Sequence, residues 1–223
     1  MISKNILFIH APKNGGTSFQ TILLKNNFVA KDYLINSFSD IVKNKIKPIN
    51  NYLKTQQSIL YNVLCYCMNN MYNEHWTLKQ YSEIMDISKK DIIFICRNPV
   101  DKIVSAYFFL DHNLSFDEFV KYLVKGKNSG LNYSFIDSLF ICHCITQKDY
   151  ISLNGKVNKK VNVIHLENKK EMKNVLRKYN LTYYDVIKNK NLEKKKIKIS
   201  KKTLNLIYKE YREDFEYFGY KRI

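Results

Sequence analysis

Three things are missing from this chain. No apolar run approaches the roughly 20 residues that cross a bilayer, and Met1-Ile2-Ser3-Lys4 leads into a buried-type strand rather than a cleavable signal. The expectation is therefore a soluble, unsecreted chain, cytoplasmic by default, with no membrane span. Prolines number only three, and no Pro-rich linker, internal repeat or break in composition divides the 223 residues. One domain over 1–223 is expected, with length enough for a substantial core. Acidic residues are scarce, 20 against 37 lysines and arginines, for a net charge of +17. Such an excess attracts anionic ligands and polyanions in general, which keeps a nucleic-acid reading open, although no specific nucleic-acid partner is expected. Much of it is lysine in Lys- and Asn-heavy segments, and the densest stretch, "KNKNLEKKKIKISKK" at 188–202, reads as a solvated loop and helix start.

What is present describes a globular chain, 45% hydrophobic and 14% aromatic. The five cysteines, Cys65, Cys67, Cys96, Cys142 and Cys144, are an odd number without a secretory signal, so a disulfide framework is not indicated. Two Cys-x-Cys pairs, the second enclosing His143, are tighter than the usual zinc spacing and lie in apolar surroundings. They read as reduced core thiols.

Apolar, β-branched runs at 5–10, 91–96 and 161–166 predict strands, and helical patterns follow each at 17–27, 100–110 and 168–179. That alternation predicts a parallel sheet with helices on its faces and ligands at the carboxyl ends of its strands. Further helices are expected in the 50s to early 70s and at 77–86, 115–125, 132–146 and 203–218.

Two strand-to-helix junctions carry the chemistry. In the first, "HAPKNGGTSF" at 10–19, a glycine pair lets backbone N–H groups at a helix start approach a ligand, and Lys13 adds a full charge. Thr17 and Ser18 add hydroxyl donors and suit a helix cap. The lysine precedes the glycines, so the loop is not a Walker A motif, and Gly15-Gly16 does not satisfy the dinucleotide fingerprint. The second, "FICRNPVDKIVSAY" at 94–107, puts Arg97 at a strand end, Pro99 in a first helical turn and Ser105 about two turns on. An arginine fork with a hydroxyl is a good clamp for a phosphate monoester. Both junctions fall on one rim of the predicted sheet.

Together, Pro12-Lys13-Asn14-Gly15-Gly16-Thr17-Ser18 and Arg97-Asn98-Pro99-Val100-Asp101-Lys102-Ile103-Val104-Ser105-Ala106-Tyr107 resemble the nucleotide signature of sulfotransferases that use 3′-phosphoadenylyl sulfate (PAPS). The likeness is closest to the carbohydrate branch, with weaker similarity at "CHCITQKDYI", "VIHLEN" and "IYKEYREDFEYFGY". Asn14 and Lys102 stand where Thr and Arg are commoner. The resemblance implies an α/β, P-loop-like three-layer sandwich with a central, mainly parallel sheet. It implies that Lys13, Asn14, Gly15, Gly16, Thr17 and Ser18 bind the 5′-phosphosulfate and that Arg97 and Ser105 bind the 3′-phosphate. Lys13 would stabilise the leaving phosphate, backbone N–H groups of Gly15 to Ser18 would hold the nonreacting oxygens, and no metal is required. The acceptor would be a glycan or another hydroxyl compound, shaped by loops near 28–74 and 126–160.

A hydroxyl acceptor needs a base. Relatives of the carbohydrate type carry a histidine shortly before the second binding strand, where this chain has His75 in "NEHWTLKQYSEIM". His75 is the candidate, since imidazole accepts protons near neutral pH; Glu74 and Glu83 are the alternatives. His10, His112, His143 and His165 are assigned to structural positions. The competing readings are another P-loop enzyme such as a nucleotide kinase, an inactive PAPS- or PAP-binding module, and a nucleic-acid-binding module.

Overall fold

The computed structural model describes residues 6–26, 75–110, 113–128, 142–186 and 197–222. Cys65, Cys67, Glu74, His112, the helix expected in the 50s to early 70s, and 132–141 of the expected 132–146 helix lie outside them. Strands β1 (Ile6–Ile9), β2 (Asp91–Cys96) and β5 (Val161–His165) form one sheet in the order β1-β2-β5. Both pairings are parallel, with Ile9 opposite Phe94 and Cys96 opposite His165. The carboxyl ends therefore share an edge. The near-continuous apolar runs of β1 and β2 follow from burial on both faces.

Alternate strand residues face different layers. Ile6, Phe8, Ile93, Ile95 and Ile164 pack against Phe19, Ile22 and Leu23 of α1 (Gly16–Lys25) and, further along the chain, Met172 and Leu176 of the helix at Lys169–Lys178. On the other face, Leu7, Ile9, Ile92, Phe94 and Cys96 meet Leu78 and Tyr81 of α2 (Leu78–Ile84), together with Tyr150, Ile151 and Phe218. The result is the expected helix–sheet–helix sandwich. A third cluster joins α3 (Pro99–Tyr107) and α4 (Phe116–Asn128) to the C-terminal helices through Val100, Ile103, Phe119, Leu123, Ile207 and Phe215.

The remaining elements are α5 (Gln147–Tyr150), β3 (Ser152–Leu153), β4 (Lys156–Val157), α6 (Lys169–Lys178), α7 (Lys201–Glu210) and α8 (Arg212–Phe218). The segment expected as one helix at 203–218 is thus two, broken at Tyr211 (φ −110°, ψ 23°), whose buried hydroxyl donates to the Cys144 carbonyl at 3.2 Å. No glycine or proline marks that break. The β3–β4 hairpin turns on Asn154 and Gly155, both with positive φ (51° and 74°), which Asn-Gly tolerates. Cys96, Cys142 and Cys144 are free and buried, and burial pushes each thiol up to about 12. Among the described residues no helix is long and apolar enough to cross a membrane.

Candidate functional site

The loop after β1 reaches α1 through two left-handed residues, Lys13 (φ 65°) and Gly15 (φ 77°). That conformation is uncommon for a residue with a Cβ; Lys13 is pinned there by Arg97, whose Nη1 donates to the Lys13 carbonyl at 3.0 Å. The glycine pair is required by packing as well as by ligand approach. A Cβ on Gly15 would meet the Leu166 side chain, and one on Gly16 would run into the His10 imidazole.

The N-cap of α1 is Gly15, without a side-chain bond, so Thr17 and Ser18 do not cap the helix as expected but occupy its first turn. The expected cradle of N–H groups from Gly15 to Ser18 is also narrower. The Ser18 and Phe19 N–H groups both donate to the Gly15 carbonyl at 3.1 Å, whereas those of Gly15, Gly16 and Thr17 have no acceptor among the described residues. No acidic residue lies in this first turn to repel an anion. Asn14 is buried and its amide is turned into the protein, donating to the Ile95 carbonyl at 2.8 Å and Gln147 Oε1 at 2.7 Å.

Lys13 Nζ lies 3.7 Å from the centroid of the Phe109 ring. Burial, aided by the nearby Arg97 charge, lowers its pKa to about 8, so it is mostly cationic at neutral pH. Arg97 leaves β2 on the same rim, and burial lowers its pKa without removing its charge. Ser105 is partly buried in α3, eight residues beyond. Lys102, placed by resemblance in the same signature, is instead wholly buried. Its Nζ donates to the Ile145 carbonyl at 2.8 Å, bracing the segment before α5 rather than facing the rim.

His75 donates from Nδ1 to the His10 carbonyl at 3.0 Å, because a carbonyl can only accept. In the neutral ring Nε2 then carries the lone pair. Burial lowers the His75 pKa below 6.5; the His10 carbonyl opposes the shift and the charges of Lys13 and Lys102 add to it, so the ring is neutral at pH 7. His10 and His143, read from sequence as structural, surround it. The His10 ring is centred 4.6 Å from that of His75, and the His143 ring 6.4 Å from it. His143 also stacks on Phe109 at 5.7 Å. His165, by contrast, is held between Glu171 at 2.8 Å and the Phe218 carbonyl at 2.9 Å. Glu83 is exposed on α2.

Gln147, Asp214, Phe109 and His143 went unassigned to the site in sequence. Gln147 lies inside the weakly similar stretch "CHCITQKDYI", and Thr146, which accepts from the Asp149 N–H at 3.1 Å, is a readable helix cap before it. Nothing local marks Asp214 as buried. Among the described residues no group of three or more His, Cys, Asp or Glu side chains is arranged to hold a metal ion.

A parallel sheet with a glycine loop at one strand end and an arginine at the next defines an α/β sandwich of the P-loop-like kind. The sulfotransferase family model matches residues 3–221, and the chain belongs to that family. Neither a curated protein nor a solved structure matches it.

Proposed function

We propose that the protein transfers a sulfuryl group from PAPS to a hydroxyl of a carbohydrate. The observation that carries this reading is the bond from Arg97 Nη1 to the Lys13 carbonyl, which ties the cations of two neighbouring strand ends together on one rim. A donor with phosphates at both its 5′ and 3′ positions fits such a pair. In this reading the N–H groups of Gly15, Gly16 and Thr17 and the hydroxyls of Thr17 and Ser18 hold the phosphosulfate, and Arg97 with Ser105 holds the 3′-phosphate. Gly15 and Asn14 shape the loop.

The acceptor oxygen forms a bond to sulfur as the bond from sulfur to the bridging phosphate oxygen breaks. The hydroxyl proton passes to His75 Nε2, and the electron pair stays on the leaving phosphate, where Lys13 meets the growing charge. Positioning and electrostatics supply most of the acceleration in such a transfer. The carbohydrate class comes from the resemblance, and Phe109, 54% exposed beside Lys13, adds apolar ring surface at the rim.

Labelled PAPS incubated with glycans, tyrosyl peptides and small alcohols tests the reading; label is expected on a glycan. PAP binding without transfer to any acceptor would identify an inactive binding module, and salt-sensitive DNA binding with no response to PAPS a nucleic-acid module. His75→Ala is expected to cut turnover by roughly 10²- to 10⁴-fold with PAP affinity nearly unchanged. An alanine variant with normal turnover would remove His75 as the base.

A further inference from the structure

We infer that Gln147 is a positioning residue that sets the spacing between the two anion sites of the donor, and so makes the protein selective for ligands carrying both phosphates. The inference rests on the function proposed above. Gln147 is 0% exposed, and its amide uses all the hydrogen-bonding capacity of a glutamine. Oε1 accepts from Asn14 Nδ2 at 2.7 Å and from the Arg97 N–H at 2.8 Å. Nε2 donates to the Arg97 carbonyl at 2.8 Å and, more weakly, to Asp214 Oδ2 at 3.4 Å.

Three of these four bonds end on Asn14, inside the first anion loop, and on Arg97, which supplies the second site. The hub is itself fixed from behind. Asp214 accepts from the Gln147 N–H at 2.9 Å and the Lys148 N–H at 2.8 Å, pinning the start of α5 to α8. Buried Lys102 holds the residue two before Gln147 through the Ile145 carbonyl.

The amide of Asn14 shows how firmly the network dictates geometry. Its Oδ1 is buried with no hydrogen-bond partner. Flipping the amide would set that oxygen against two acceptors, the Ile95 carbonyl and Gln147 Oε1, so the observed orientation is enforced.

A ligand with one phosphate occupies one site and is indifferent to the distance to the other. A ligand with two gains from the second only when the protein holds the two sites at the right separation beforehand. Gln147 supplies that preorganisation without touching the ligand.

The test compares adenosine 3′,5′-bisphosphate with adenosine 5′-phosphate and adenosine 3′-phosphate, by calorimetry, on the wild type and Gln147→Met. Methionine fills similar space and makes none of the four bonds. The preference for the bisphosphate is expected to fall about 10-fold or more, with either monophosphate moving less than about twofold. An unchanged preference, or an equal weakening of all three ligands, overturns the inference. Should Gln147→Met not fold, Asn14→Ala removes the arm from the loop, together with the Asn14 bond to the Ile95 carbonyl, and an unchanged preference there overturns it equally. A wild type with no preference for the bisphosphate would instead defeat the proposed donor itself.

Discussion

After β1 the chain turns through left-handed Lys13 and Gly15 and enters α1 with no side-chain cap, whereas after β2 it enters α3 through Asn98, whose side chain accepts from the Val100 N–H, with Pro99 at the first helical position. One topology has been finished in two ways. The first junction leaves the N–H groups of Gly15, Gly16 and Thr17 for a ligand. The second satisfies its own helix start, its Asn98 N–H going to Glu167 Oε1 at 3.0 Å, and offers side chains instead. The backbone part of the first site is broken by an added Cβ, whereas the second site is broken by loss of the side chains that make it.

Lys13 is the one full charge of the backbone site, and its removal is the largest effect expected at either junction. Lys13→Ala should lower turnover by about 10²-fold or more, the scale of one preorganised electrostatic donor, and steady-state rates at saturating donor measure it. Near-normal turnover would make the first junction a site of N–H groups alone. The pH profile sharpens the point. Lys13 loses its charge as pH rises through about 8, and His75 gains a proton only below its lowered pKa, under 6.5. kcat/KM for the donor should therefore fall on the alkaline side near pH 8 and on the acid side below 6.5, with Lys13→Ala abolishing only the alkaline limb. Stability of the unliganded protein carries the other sign. The Lys13 pKa is depressed from 10.5 in the folded state, so between about 8 and 10.5 the unfolded chain binds more protons and stability rises with pH.

Gly16→Ala tests the junction's intolerance of a side chain. The new Cβ would drive into the His10 imidazole, which is buried under the loop and has little room to yield. Overpacking of this kind costs about 1–3 kcal/mol, to be read from urea unfolding, and the PAP-induced rise in melting temperature should shrink with it. Thr17→Ala, one residue along and exposed, should stay within about 0.5 kcal/mol. Equal effects at the two positions would mean that the glycine serves only the ligand.

The same contrast explains what could be read from sequence. Both junctions were legible because an apolar run, a Gly-Gly pair and an Arg-Asn-Pro step are local signals, and the parallel sheet followed from their alternation. The brace between them was not, because Gln147 meets Asn14 across 133 residues and Asp214 across 67, and no periodicity encodes such meetings. Lys102 was hidden for a related reason: the signature gives only its place and nothing local marks it as buried, while the packing of α3 turns it inward to the carbonyls of His143 and Ile145. His10 looked like an ordinary strand-end histidine. Only the fold lays its ring beneath Gly16 and its carbonyl against His75. The Asn154-Gly155 hairpin did carry its turn signal, but two-residue strands leave no alternation to go with it.

The smallest expected effect lies at the second junction. Asn98→Ala removes the oxygen that accepts from the Val100 N–H at 3.0 Å, and a lost N-cap costs about 1 kcal/mol. The Asn98 backbone N–H keeps its bond to Glu167, and the Arg97 guanidinium keeps its bond to the Lys13 carbonyl, so the rim should hold its shape. PAP affinity, measured by calorimetry on the same sample as the unfolding curve, should therefore change by less than about threefold, below the cost of one charge-assisted hydrogen bond. A much larger loss of affinity would mean that the Val100 end of α3 meets the ligand through its backbone, and the two junctions would then be two copies of one device.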